Sequence, residues 1–188
     1  MLYFSPQIWA SDNTDAIERL AIQFGTSLCY PASTMGAHVS MSSRTGFETK
    51  GNVAMWGTFG YELDPNRLTE KDLGIVKKQV GDYHKYYELI HYGDLYRITD
   101  PWDNAFRCAW EFVSEDKTEA LYTQVTMRYY HCPTLIVRFK GLDPKVTYTL
   151  EATGEKYSGA FLMNAGLNLS RWPRGTGESF TLHFITEN

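Results

Sequence analysis

The spacing of apolar residues changes once along this chain, near residue 92, and the two spacings demand different architectures. Before that point apolar residues recur at helical intervals. Ile17, Leu20, Ala21 and Phe24 fall at i, i+3, i+4 and i+7, and Leu73, Val76, Val80, Tyr83, Tyr87 and Ile90 lie three and four apart. After Gly93 the interval drops to two. Phe106, Cys108, Trp110 and Phe112 alternate with Arg107, Ala109 and Glu111, and the same alternation runs through Leu135, Val137 and Phe139 and through Phe180, Leu182 and Phe184. The chain therefore divides into an α/β part, 1–92, and an all-β part, 93–188.

Within the first part, helices are expected at 15–25 and 69–90. Asp12, Asn13 and Thr14 are candidate N-caps for the first, with Gly25 as its stop, and Thr69 with Asp72 makes a capping-box pattern for the second. Leu2-Tyr3-Phe4 and Ile8-Trp9 read as one buried strand. Ser27–Tyr30 is a second apolar run, and Asn52–Thr58 a short buried strand. A Ser/Gly/Thr-rich loop between them carries Gly36-Ala37-His38-Val39-Ser40. In the second part, Gly141-Leu142-Asp143-Pro144 and Thr153-Gly154 mark turns between the short strands of an antiparallel sandwich. One helical turn at about 160–165 ends before Gly166.

At 188 residues the chain is long enough to bury a core. It is too short for a complete (β/α)8 barrel, which takes roughly 250 residues. The first part alone is too small to cover both faces of a parallel sheet, and the chain begins in an apolar strand with no lead-in, so it reads as cut from something larger. Eighteen Lys+Arg against 22 Asp+Glu leave a net charge of -4. This argues against a nucleic-acid partner, which needs a basic face. Cys29, Cys108 and Cys132 are an odd, widely spaced set without a metal-ligand pattern, so neither a disulfide framework nor a zinc site is expected, and a cytoplasmic location is. The N-terminal stretch lacks the basic start and the apolar length of a signal peptide or a membrane span.

The chemistry-bearing residues concentrate in Trp9-Ala10-Ser11-Asp12-Asn13-Thr14-Asp15, where an apolar strand delivers acids and amides to its C-terminal end just before a helix. In βα folds that edge carries the site. Asp12 has two readings, the cap of the following helix or a general acid. The first would lower its pKa, and the second needs it raised. Asp15 is a first-turn acid or a second site carboxylate, and Glu18 and Arg19 read as surface charges. His38 is a loop histidine near the same edge. Trp9 and Trp56 are either core or platforms for a sugar face, and Trp102-Asp103 reads as linker. No GxGxxG, Walker A, HExxH or GxSxG pattern is present, so no nucleotide, metal or other cofactor is expected.

Four stretches carry a family resemblance. Pro6 through Leu20, Met35-Gly36-Ala37-His38-Val39-Ser40, Met55-Trp56-Gly57-Thr58-Phe59-Gly60-Tyr61-Glu62-Leu63, and Tyr157-Ser158-Gly159 with Leu162-Met163-Asn164-Ala165-Gly166-Leu167 resemble, in family order, the C-terminal portion of glycoside hydrolase family 36 α-galactosidases. The resemblance implies a retaining glycosidase. Residues 1–92 would be the last strands and helices of a (β/α)8 TIM barrel, and 93–188 an antiparallel β-sandwich domain. Asp12 falls on the family's general acid/base. Trp9, Asp15, His38 and Trp56 would lie near the galactose pocket, and the substrate would be a terminal α-galactoside of the melibiose or raffinose type. The full-length form is expected to be a homo-oligomer.

The departures are as informative. The family's nucleophile is the Asp of a Lys-Trp-Asp motif on an earlier strand, and no Lys-Trp-Asp occurs here. The Asp-Asp pair and the Cys-Ser-Gly-Gly segment of the galactose pocket are missing too, and Met1 resembles an internal methionine. Ala10 stands where the family has Thr, and the Met41–Gly46 loop is short. Retention needs two carboxyl groups about 5–5.5 Å apart. Asp12 and Asp15, on one element, cannot flank a glycosidic bond, so the chain by itself is expected to be inactive. Two other readings remain open: a non-catalytic sugar-binding or assembly module centred on 93–188, and galactosyl transfer of the raffinose-synthase type.

Overall fold

The computed structural model describes residues 3–13, 15–41 and 45–186. Met1 and Leu2, the cap candidate Thr14 and residues 42–44 of the Met41–Gly46 loop lie outside the described residues. The chain forms two compact units, Met1–His91 and Tyr92–Asn188.

The first unit alternates strand and helix: β1 (Ile8–Trp9), α1 (Ala16–Ser27), β2 (Met35–Ser40), α2 (Phe47–Ala54), β3 (Thr58–Glu62) and α3 (Glu70–Tyr92). The three strands form a parallel sheet in the order β1-β2-β3. Ile8 pairs with Met35, Gly36 with Thr58 and Ser40 with Glu62, so the three C-terminal ends lie along one edge.

Several sequence-based expectations change here. Tyr3 and Phe4 are exposed and lie in a turn, and only Ile8–Trp9 joins the sheet. Pro6 has no N–H for a ladder, and Ser5 Oγ donates locally to Gln7 O. The Gly36–Ser40 stretch is not a loop but the central strand. It is covered on both faces, so it carries no alternation, and its small polar residues masked it. Residues 52–54 end α2 instead of beginning a strand. The chain then turns tightly at Gly57, where a Cβ would sit 2.3 Å from Met35 O. Ser27–Tyr30 is the end of α1 and a turn, and α1 runs through Gly25.

The N-cap of α1 is Asp15, whose Oδ1 accepts from Ile17 N and Glu18 N. The buried face of α1 is Ala16, Arg19, Leu20, Gln23, Phe24 and Ser27. The Thr69–Asp72 capping box forms as expected: Asp72 N donates to Thr69 Oγ1 and Thr69 N to Asp72 Oδ2. On α3, Leu89 and Ile90 are buried while Leu73, Val80 and Tyr87 are exposed.

The second unit comprises β4 (Asp94–Thr99), β5 (Arg107–Val113), β6 (Glu119–Thr126), β7 (Ile136–Val137), β8 (Thr147–Leu150), β9 (Glu155–Ser158), α4 (Gly159–Asn164), β10 (Leu167–Asn168) and β11 (Ser179–Thr186). Six strands form an antiparallel sheet in the order β4-β5-β6-β11-β8-β9, and β7 and β10 pair separately. Its core gathers Tyr122, Leu135, Phe139, Leu150, Leu162, Leu182 and Phe184. The short helical turn closes at Gly166, whose φ of 83° places its N–H on Phe161 O.

Candidate functional site

The C-terminal edge of the parallel sheet brings Trp9, Asp12, His38 and Glu62 together. Trp9 ends β1, and the next residues leave the sheet and reach Asp12, whose side chain is exposed. Asp12 Oδ1 accepts from Trp9 Nε1 at 2.8 Å. The Trp9 indole, 56% exposed, stacks on the His38 imidazole at 4.4 Å and 13°. Gly36, the residue of β2 that pairs with Trp9, permits this: a Cβ there would lie 3.2 Å from Trp9 Cε3. His38 is buried on β2, and its Nε2 lies 3.2 Å from Glu62 Oε2 at the end of β3. A continuous set of contacts thus crosses all three strand ends, from Asp12 through Trp9 and His38 to Glu62.

Burial holds the His38 pKa below its ordinary value. The charge of Arg19 pushes the same way, and Glu62 and Asp12 pull against it. The imidazole is therefore neutral near pH 7, with Nε2 facing the Glu62 carboxylate and Nδ1 buried without a hydrogen-bond partner.

Beneath this edge lie two buried cations. Arg19 is 1% exposed, not the surface charge expected from its sequence position. Its Nη1 donates to Ser11 O at 2.9 Å and Asn13 O at 2.7 Å, the carbonyls on either side of Asp12. Its Nε donates to Gln23 Oε1, and Gln23 Nε2 reaches Val53 O at the end of α2. The turn is also bonded within itself: Asn13 N donates to Ser11 Oγ and Asp15 N to Asn13 Oδ1. Lys50, on α2, donates from Nζ to Ser40 O at 3.0 Å, past the end of β2, and burial lowers its pKa. Helix spacing offered a faint sign for Arg19, which shares a face with Ala16, Leu20 and Phe24. Nothing in the sequence singled out Lys50 or Glu62.

Two expected site residues sit elsewhere or carry a second duty. Trp56 is fully buried, edge-on to the Phe24 ring at 6.2 Å, and it precedes β3, so it lies toward the opposite end of the sheet from Asp12. It is a core residue here, because the strand expected to carry it begins only at Thr58. Asp15 commits Oδ1 to the helix cap. The cap of α1 is thus made by Asp15, and the Asp12 residue is exposed at the strand end. Among the described residues, no group of three or more His, Cys, Asp or Glu side chains is placed to hold a metal. The three cysteines are free thiols, and no described helix is long and apolar enough to cross a membrane.

Comparison with known proteins agrees over both units. Residues 1–93 match the Melibiase family and residues 107–184 the glycosyl hydrolase family 36 C-terminal domain. The bifunctional α-galactosidase/sucrose kinase AgaSK of Mediterraneibacter gnavus is 47% identical over 90% of this chain and 19% of its own length. The α-galactosidase AgaA of Geobacillus stearothermophilus is 45% identical over 90% of this chain and 24% of its own. The chain thus spans about a fifth to a quarter of the curated relatives it matches. Among solved structures, the galactosidase domain of AgaSK superposes with a TM-score of 0.93 at 43% identity, covering 100% of this chain and 27% of that one. A variant of AgaA in complex with raffinose gives 0.94 at 40% identity, again over 100% and 27%. By both its parallel and its antiparallel unit, the chain belongs to glycoside hydrolase family 36, in the C-terminal region of that family's proteins.

Proposed function

We propose that the chain is part of a retaining α-galactosidase acting on terminal α-galactosides of the melibiose and raffinose type. In this reading residues 1–92 are the last strands and helices of a (β/α)8 barrel, and residues 93–188 are an antiparallel β-sandwich domain. The observation that carries it is the division of labour between Asp15, which caps α1, and Asp12, which is exposed at the C-terminal end of a parallel strand. That edge is where barrel enzymes place their chemistry.

Asp12 is the general acid and then the general base. Its Oδ1 accepts the Trp9 indole N–H, so the proton is carried on Oδ2. As a nucleophilic carboxylate attacks C1 of the galactose, Asp12 passes that proton to the departing glycosidic oxygen. In the second step it takes a proton from the water that releases galactose. The nucleophile is the Asp of a Lys-Trp-Asp motif that this chain does not contain, so the 188 residues alone do not turn over. Arg19 positions Asp12 through the two flanking carbonyls. Trp9, stacked on His38, offers an exposed face beside the acid for an apolar side of the sugar. Support for the substrate class comes from the relatives, which are named as α-galactosidases, and from related structures solved with raffinose and stachyose. The complete enzyme is a cytoplasmic homo-oligomer that needs no cofactor.

The test is hydrolysis of raffinose by a chain extended upstream through Lys-Trp-Asp. Asp12→Asn is expected to lower kcat by about 10²- to 10⁴-fold on raffinose, and less on aryl galactosides whose leaving groups need little protonation. Near-full activity of Asp12→Asn on raffinose overturns the assignment. Turnover by the 188-residue chain overturns the claim that its nucleophile lies elsewhere.

A further inference from the structure

An open pocket with an enclosed volume of about 30 Å3 lies in the second unit, where β5 begins and the chain leaves β6. Arg107 enters it from β5, Arg128, Tyr129 and Tyr130 from the segment after β6, and Arg174 from the loop before β11. Three arginines therefore line one small cavity in a chain whose net charge is -4. Among the described residues none of the three is in an ion pair with a carboxylate. Arg174 Nη1 donates to Cys132 O at 2.8 Å. Arg107 Nε is buried with no hydrogen-bond partner, and a buried donor in that state is costly until an acceptor is supplied. The fields of Arg107 and Arg174 converge. Both help to hold the Cys132 thiol below its ordinary range, after its hydrogen bond with Tyr130.

The rim is aromatic and braced. Tyr129 and Tyr130 are 50% and 46% exposed. Tyr130 leans on Phe106 at 4.3 Å, and the Tyr129 backbone N–H donates to Thr176 Oγ1 at 2.9 Å. Planar guanidinium forks match the geometry of carboxylate and phosphate oxygens. A bare ion would leave the two tyrosine faces uncovered. The enclosed space, about 30 Å3, has room for the anionic group alone, so a ring that carries it lies at the open mouth, across the exposed tyrosines.

We infer that this pocket binds the anionic group of a monosaccharide-sized oxyanion, a sugar phosphate or a uronate, whose ring lies across its aromatic rim. Arg107, Arg128 and Arg174 hold the anionic group, and Tyr129 and Tyr130 flank the ring.

Calorimetric titration of the full chain in 150 mM-range salt tests this, with galactose 1-phosphate, galacturonate, inorganic phosphate and neutral galactose as probes. At least one of the two anionic sugars is expected to bind with Kd on the order of 1 mM or tighter. The tighter of the two identifies phosphate or carboxylate as the preferred group. Inorganic phosphate and galactose should bind at least about tenfold more weakly. Arg107→Gln and, on the exposed side chain that the fold does not need, Arg128→Gln should each weaken binding about tenfold. In the same samples the bound sugar should slow iodoacetamide alkylation of Cys132 and leave that of Cys29 unchanged. Failure of both anionic sugars to bind overturns the inference. So does unchanged binding by both arginine variants, or galactose or inorganic phosphate binding as tightly as the anionic sugars.

Discussion

Glu111 provides the sharpest quantitative test of how the second unit is built. It lies in the middle of β5, 0% exposed, between Ala109 and Val113 on the face that meets the core. Oε1 accepts from Lys140 N at 2.8 Å, and Oε2 has no hydrogen-bond partner. Burial pushes the carboxyl from 4.5 up to about 8, against the opposing pull of the Lys140 N–H and charge. Between those two values the native state keeps the proton and the unfolded state releases it. The unfolded state then binds fewer protons, so stability falls as pH rises from about 4.5 to about 8 and levels off above. At pH 7 the accumulated cost is about 3 kcal/mol. Glu111→Gln keeps the acceptor for Lys140 N and does not titrate. Its Nε2 replaces an Oε2 that was already without a partner, so no new group is stranded. The variant should match the parent near pH 4.5 and gain steadily to about 3 kcal/mol at pH 7. Equilibrium urea unfolding at pH 5, 6, 7 and 8 reads this directly, as a gap between the two curves that widens with pH. Parallel curves would refute the reasoning, because they would mean that Glu111 titrates alike in both states.

Three further outcomes probe the first unit. Asp15→Ala removes two cap hydrogen bonds and should cost about 1 kcal/mol in unfolding free energy, whereas Asp12→Asn should stay within about 0.5 kcal/mol, since it caps nothing. Equal losses in chemical denaturation would reverse the two assignments. Arg19→Met strands the carbonyls of Ser11 and Asn13 and should destabilise by about 3 kcal/mol, with loss of hydrogen-exchange protection concentrated at residues 11–15. His38 has a folded pKa below its ordinary 6.5, so the unfolded state takes up a proton first as pH falls. Its contribution is present above pH 6.5 and lost as pH falls below it, and His38→Gln should flatten the acid side of the stability profile below pH 6.5.

Legibility from sequence followed local chemistry. The Thr69–Asp72 box, the turn glycines at 141, 154 and 166, and the alternation through Leu135, Val137 and Phe139 are all written within a few residues of where they act, and the structure has them in place, whereas β5 is buried on both faces and turns Ala109 and Val113 to the core. The first helix was legible as a helix but not as a surface. Its apolar stripe reads as Ile17, Leu20, Ala21 and Phe24; Leu20 and Phe24 are buried, but the buried face continues through Arg19, Gln23 and Ser27, where Arg19 reaches the carbonyls of Ser11 and Asn13 and Gln23 that of Val53. Strand β2 was missed for the corresponding reason: a strand covered on both faces has no alternating pattern to read. Trp56 was misplaced along with the strand assigned to it.

The sequence by itself determined that residue 92 or so separates a helical-period half from an alternating one, that a carboxylate cluster follows an apolar strand, and that the motifs are those of family 36. Only the tertiary structure decided that Asp15 caps α1, because capping depends on which carboxylate lies within reach of Ile17 N and Glu18 N. It also decided that a buried arginine holds the turn around Asp12, and that Trp9, His38 and Glu62 form one contact across three strands. Parallel pairing alone sets side chains 29 and 24 positions apart in sequence side by side, and no local pattern encodes that register.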